Sequence, residues 1–186
     1  MARIFLFRHA QTFDNLNKIF SGKRDPDLTP SGIEEAEKIR NQLKDEKVTK
    51  AYCAPNKRTK RTLEIVLKTH EGTEIVVADP RLLERDYGDL TGKSKEKTAK
   101  LYPKEYPKWH RSYDTPPPGG ESLKEVEKRV LEFLKELIVN IRHGDVIFIC
   151  ACANSLRPIR RYFEKMTETQ MASFEHERGK IYQYEV

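Results

Sequence analysis

The sequence predicts an α/β fold: a three-layer α-β-α sandwich with a mostly parallel central sheet and a lid-like insertion over about residues 80–120. Three observations carry this. Short apolar runs alternate with helical patterns along the chain. One run, DVIFICA at 145–151, is apolar at nearly every position, as a central parallel strand covered on both faces requires. Between 80 and 120 the alternation gives way to Pro, Gly, Tyr and Trp.

In chain order, RIFLF (3–7) is a short apolar run and a buried strand. LTPSGIEEAEKIRNQLKDE is a helix with Thr29 as N-cap and Pro30 at its first position. Ile33, Ala36, Ile39 and Leu43 recur there at the spacing of a core stripe. KAYCAP reads as the second strand, and NKRTKRTLEIVLKTH as a helix whose first turn is rich in Lys and Arg. EIVVAD (74–79) is the third strand, and the insertion after it holds one short helix. In ESLKEVEKRVLEFLKELIVNI, Ser122 and Glu125 form a capping box, with Leu123, Val126, Val130, Phe133, Leu137 and Ile141 along one side. DVIFICA is the fourth strand, SLRPIRRYFEKM a helix and KIYQYEV the last strand. There is no internal repeat, so one domain over 1–186 is expected.

Composition narrows the function. Charged residues are 34% of the chain and the net charge is +6, without a basic block interleaved with aromatics. That pattern argues against nucleic acid and suits a small anionic substrate. Cysteines number three, an odd count with two nearly adjacent, which points to reduced thiols and an intracellular protein. With no signal peptide and no long apolar run, no membrane partner and a cytoplasmic location are expected.

Ligands of open α/β sheets bind at the carboxyl ends of the strands. Arg8 and His9 end the first strand, Arg58 and Arg61 open the helix after the second, Glu84 follows the third, and Cys152 with Asn154 ends the fourth. Guanidinium forks match phosphate oxygens, and neutral imidazole is a competent nucleophile toward phosphorus. Singly, each residue has an ordinary structural explanation. The basic first turn from Lys57 to Arg61 is harder to dismiss, since cations oppose the dipole at a helix N-terminus. These residues define an anion site without identifying the anion.

LFRHAQTFDN resembles the R-H-G-E-x-x-x-N signature of the histidine phosphatase superfamily, and LTPSGIEEA resembles the segment that follows it. LLERDYGDLTGKSKEKTAKLYP, WHRSYDTPPP and GGESLKEV resemble the 2,3-bisphosphoglycerate-dependent phosphoglycerate mutases within it. The resemblance covers essentially the whole chain, which is shorter than those mutases mostly between Pro118 and Gly119 and at its end. It implies His9 as phosphoryl acceptor, Arg8 and Arg58 holding the transferred group with help from Asn15, and Glu84 as proton donor and acceptor. It further implies substrate contacts at Ser21, Gly22, Tyr87, Lys95 and Arg111, no metal, and 2,3-bisphosphoglycerate as primer. His110 stands where the family has an arginine, which implies a weaker or pH-dependent contact. Ala10 and Gln11 replace Gly-Glu, a tolerable change because neither is the nucleophile.

The main departure is Ala151-Cys152-Ala153-Asn154-Ser155-Leu156-Arg157, where the family has A-H-G-N-S-L-R. The thiol of Cys152 stands for the second histidine and Ala153 for the glycine; the shorter side chain is expected to leave room for water. A thiol is a weak, uncharged donor, so loss of this contact lowers turnover by about 100- to 1000-fold. Cys152 is not itself the nucleophile of a C-x5-R loop, because Pro158 stands where that arginine would be. Of the other histidines, only His110 is expected near the pocket. Three readings stay open: a mutase interconverting 3- and 2-phosphoglycerate, a phosphomonoesterase, and a non-catalytic phospholigand-binding relative.

Overall fold

Residues 1–73 and 75–186 are described by the structure, a computed structural model. Five strands, β1 (Arg3–Arg8), β2 (Lys50–Cys53), β3 (Ile75–Ala78), β4 (Val146–Ala151) and β5 (Ile181–Glu185), form one sheet in the order β3-β2-β4-β1-β5. Pairing is parallel among the first four and antiparallel only between β1 and β5. The mostly parallel sandwich is therefore as the sequence predicts. β4 lies between β2 and β1, and all six of its residues are buried. The expected start of the third strand at residue 74 lies outside the described residues.

Alternation along the central strands builds the two outer layers. Ile4, Leu6, Ile147 and Ile149 face α6 (Leu123–Val139) and α7 (Ala153–Glu164), meeting Val126, Val130, Phe133, Leu156 and Ile159. Phe5, Phe7, Phe148 and Cys150 face the other way, onto Ile39 and Leu43 of α2 (Pro30–Leu43) and Leu63 and Val66 of α3 (Lys57–Leu67). Each such large side chain contributes about 1.5–3 kcal/mol on burial. The caps also match expectation: Thr29 Oγ1 accepts from Gly32 N (3.0 Å), and Ser122 and Glu125 form the reciprocal box.

Three expectations need correction. Ile33 is exposed, and the α2 stripe runs instead through Gly32, Ala36, Ile39 and Leu43. Gly32 is there because the helix start lies directly on the Gln11 backbone, with no room for a side chain. α6 ends at Val139, so Ile141 packs on the core from beyond the helix. The insertion holds four short pieces rather than one: 3-10 turns Pro80–Leu82 and Gly88–Leu90, then α4 (Lys95–Leu101) and α5 (Tyr106–Arg111). These gather a small core of Phe20, Tyr87, Leu90, Tyr106 and Trp109 beside the sheet's carboxyl edge. α1 (Phe13–Leu16) and α8 (Glu168–Ser173) complete the chain. Among the described residues no helix is long and apolar enough to cross a membrane.

Gly32→Ala should destabilise the fold. In an open helix this change stabilises by about 0.5–1 kcal/mol, but here the new methyl would overlap the Gln11 carbonyl oxygen. We expect a net loss of about 1–3 kcal/mol, the usual cost of overpacking, read from urea unfolding midpoints. A gain in stability would show that α2 does not rest on this corner.

Candidate active site

The site grows from two adjacent strand ends. Arg8 pairs with Ala151 in the last rung of the β1–β4 ladder, and His9 N continues it by donating to Ala151 O (3.1 Å). Residue 152 is thereby placed beside His9. The next residue, Ala10, donates its N–H to Thr62 Oγ1 (3.1 Å), which itself donates to Arg58 O (2.7 Å), so α3 fixes the same corner. The Ala10 methyl packs with Leu28, Ala36 and Ile65.

His9 is buried, and its ring is oriented by Nδ1–H donating to Ala10 O (2.8 Å). Among the described residues nothing hydrogen-bonds Nε2. Burial, followed by the charges of Arg8 and Arg58, pushes the imidazole well below its ordinary pKa and keeps it neutral. Arg58 is enclosed, donating to Arg24 O (2.7 Å), Gly22 O (3.4 Å) and Cys152 Sγ (3.4 Å). Arg24 is in turn clamped on Asp14 (3.0 Å). Gly22 takes φ +49°, and a Cβ there would lie 2.7 Å from Thr91 Oγ1, so its carbonyl reaches Arg58 only because it has no side chain. Among the described residues the buried Nε atoms of both Arg8 and Arg58 lack a partner.

Cys152 corrects one expectation. No water-sized gap opens at its side chain: the sulfur is fully enclosed and accepts from Arg58 Nη2 (3.4 Å) and from Asn56 Nδ2 (3.5 Å). Burial pushes its thiol up despite Arg58, so it stays protonated and is no nucleophile. Of the basic turn, only Arg58 turns inward; Arg61 lies outside, against Glu64 (3.4 Å).

A cavity of about 80 Å³ opens over this corner, lined by Arg8, Asn15, Ser21, Glu84, Tyr87, Lys95, Arg111, Ala153, Asn154 and Arg157, with Ile19 and Glu175. A wider cleft of about 370 Å³ adjoins it, sharing Arg8, Asn15 and Lys95. Asn15 closes the capping box of α1, its Oδ1 accepting from Thr12 N (3.2 Å). Lys95 begins α4, whose first N–H donates to Lys18 O (2.9 Å), and its ammonium stands 5.5 Å over the Phe20 ring. Glu84 Oε1 accepts from Arg85 N (2.7 Å) and Asn154 Nδ2 (2.9 Å). Burial raises the Glu84 pKa, but Arg58, these hydrogen bonds and Arg8 outweigh it, and the carboxyl sits below its ordinary value. Asn154 also donates to Tyr87 Oη (2.9 Å) and accepts from Arg157 Nε (3.1 Å), so its amide braces Glu84. Among the described residues no cluster of three or more His, Cys, Asp or Glu side chains is placed to hold a metal.

His110, for which the resemblance implies a weaker or pH-dependent contact, is absent from the lining of both cavities. Its ring stacks on Tyr106 (5.1 Å), and burial followed by Arg111 and Lys95 holds it down to about 3. Three residues at the site were not expected. Arg157, buried and lowered to about 10 chiefly by burial, shares a face of α7 with Asn154 through their i,i+3 spacing, a signal present in the sequence. Glu175 pairs with Arg111 and lies 4.0 Å from Arg157. His176 is buried behind the cavity, close enough to Arg157 and Arg8 to feel both charges. No local pattern announces the last two.

A neutral imidazole with a free nitrogen near two guanidinium groups, with a carboxylate close to the same arginines, is chemically suited to phosphoryl transfer. Residues 4–186 match the histidine phosphatase superfamily (branch 1), and the chain belongs to it. It is 39% identical over 177 residues to a 2,3-bisphosphoglycerate-dependent phosphoglycerate mutase of Nitrobacter winogradskyi, covering 92% of this chain and 86% of that one. A protein of the same name from Allorhizobium ampelinum is 38% identical, with 91% and 83% covered. The fold is also that of Bacillus stearothermophilus YhfR (TM-score 0.89, 22% identity, 100% and 92% covered). A putative alpha-ribazole-5'-P phosphatase from Escherichia coli shares it as well (TM-score 0.85, 23% identity, 100% and 91% covered).

Acid should weaken the fold through His176. Unfolded, its imidazole takes a proton near the ordinary 6.5; folded, burial and then Arg157 and Arg8 hold it down to about 2. Its contribution is thus complete above the unfolded value and is lost as pH falls, by at most about 1.4 kcal/mol per pH unit. His176→Asn should flatten the dependence of unfolding free energy on pH by up to that amount between about pH 6 and 4. An unchanged slope in urea melts would mean that the imidazole titrates freely in the fold.

Proposed function

We propose that the chain moves a phosphoryl group between positions of phosphoglycerate through His9, as a 2,3-bisphosphoglycerate-primed mutase slowed at Cys152. The observation that carries this is the neutral His9 imidazole, with Nδ1 tied to Ala10 O and Nε2 free beside Arg8 and Arg58. The phosphoglycerate class is supported by the names of the relatives and by the matching positions of Tyr87, Lys95 and Arg111 around the cavity. The unpartnered Nε atoms of Arg8 and Arg58, with Lys95 nearby, fit a polyanionic primer. When bound, 2,3-bisphosphoglycerate supplies the phosphoryl group that readies His9.

Each chemical step falls to residues of the chain. His9 Nε2 forms the bond to phosphorus as the ester P–O bond breaks, and the leaving oxygen takes a proton from Glu84. In the return step a substrate hydroxyl gives its proton to Glu84 and attacks the phosphorylated imidazole. Glu84 is ionised in the ligand-free site, the state required of a base. A phosphate dianion arriving beside it adds like charge and raises its proton affinity, the state required of an acid. Hydrolysis is the second reading, favoured by Glu175: with Arg111 already paired, less holds an acidic product in place for the return step.

Incubation with 2,3-bisphosphoglycerate should give an acid-labile, base-stable phosphoryl adduct that His9→Ala abolishes. A coupled assay of 3-phosphoglycerate with and without primer, run alongside phosphate release, separates mutase from phosphatase. An adduct that persists in His9→Ala or sits on Cys152 would overturn the mechanism.

Cys152→His with Ala153→Gly should raise kcat about 10- to 1000-fold with smaller change in KM, because the gain belongs to the transition state. A wild-type enzyme that is already fast and is unchanged by this pair would show the thiol to be an adequate replacement.

A further inference from the structure

The cavity has two ends. At one stands Arg8, whose chain neighbour His9 feels its charge and that of Arg58, both His9 and Arg58 lying behind the cavity's own lining. At the other stand Arg111 and Arg157, with Lys95 on the wall between. Cations at both ends of one small cavity call for a ligand with two anionic groups, yet the far end already contains a carboxylate. Glu175 lines the same cavity, and its Oε1 accepts from Arg111 Nη2. Its other oxygen lies 4.0 Å from Arg157 Nη2.

Glu175 is differently held from the other carboxylates nearby. Glu84 is fixed by a backbone N–H and by Asn154, and Glu121 is clamped by Arg129 (3.1 Å) and accepts from Asp86 N (2.9 Å). Among the described residues, only cationic side chains of the cavity hold the Glu175 carboxylate, and 69% of its side chain is exposed. It stands between α8 and β5, one residue past the C-cap of α8. Such a side chain can rotate away into water at the cost of its pairs with Arg111 and Arg157 alone.

We propose that Glu175 is a built-in occupant of the subsite for the substrate's second anionic group, and that a phosphoglycerate-class ester seats its carboxylate on Arg111 by displacing it. Glu175 then sets specificity: every carboxylate-bearing ester competes with an internal carboxylate, and an ester with a neutral group at that end does not. Charge balance favours this. With Glu175 in place the far end is partly neutralised, and with it displaced Arg111 and Arg157 face a ligand anion in a half-buried setting where such pairs are strong. This inference rests on the cavity being a phosphoester site.

Two ligands that differ only at that end provide the test: 3-phosphoglycerate and glycerol 3-phosphate, which has a hydroxymethyl group in place of the carboxylate. Calorimetric dissociation constants for both are compared in the wild type, Glu175→Gln, Arg111→Met and the double variant. Glu175→Gln should shift the ratio toward 3-phosphoglycerate by about 10-fold, the effect of one freed charge-assisted contact. In the Arg111→Met background the same change should shift the ratio much less. Both ligands binding with an unchanged ratio would overturn the displacement and leave the phosphoester site standing. An equal shift with and without Arg111 would also overturn it, reducing Glu175 to a long-range field. Failure of both ligands to bind either the wild type or Glu175→Gln would sink the phosphoester reading and this inference with it.

Discussion

One backbone hydrogen bond orders the rest: His9 N to Ala151 O, which carries the β1–β4 ladder a rung past the end of β1. Because the strands are parallel, both leave the sheet at the same edge, and the extra rung keeps their next residues side by side. His9 and Cys152 are neighbours for this reason alone, although 143 positions separate them in the chain. The ladder is held by the fully buried β4 and by aromatic contacts such as Phe7 on Phe148 (6.1 Å). The precision of the reactive corner is therefore inherited from the core.

Around that rung the chemistry follows from where charge is tolerated. Burial, and after it two nearby guanidinium groups, hold the His9 imidazole neutral. The same guanidinium groups act oppositely on Glu84, drawing it toward the ionised form against the effect of burial. One pair of arginines thus favours a neutral imidazole and an ionised carboxylate, the states that the proposed nucleophile and base require. Arg58 can do so while buried because backbone carbonyls of Arg24 and Gly22 satisfy its fork and leave its Nε free. Cys152 fits this arrangement as a soft, neutral neighbour that accepts from Arg58 and does not repel it.

Much of this was legible in the sequence. The apolar run at 145–151, the caps at Thr29 and Ser122, and the placement of Arg8, His9, Glu84 and Asn154 beyond strand ends needed only local periodicity and one rule of sheet topology. What was not legible has a common cause. α1 and α8 are too short to show a period. Ile33 fits the helical stripe by spacing, but a contact with Gln11, which only a glycine permits, turned the helix by one residue. Four basic residues open α3, and burial selects Arg58 alone. Glu175 meets Arg111 from 64 positions away, a separation no window along the chain spans. The resemblance to phosphoglycerate mutases supplied Lys95 and Arg111, which periodicity would have left as insertion residues.

The three thiols give the fold an internal clock. Cys53, Cys150 and Cys152 are all buried, and burial holds each one protonated, Cys53 up to about 11. A disulfide reagent needs both access and a thiolate, and the native state denies it both. Each thiol therefore reacts only during moments when the sheet's centre or its carboxyl edge has opened. The rate at which colour develops with an aromatic disulfide would measure how often this chain breathes. Cys150, inside the central strand, would report the rarest openings, and Cys152 would report those that expose the reactive corner.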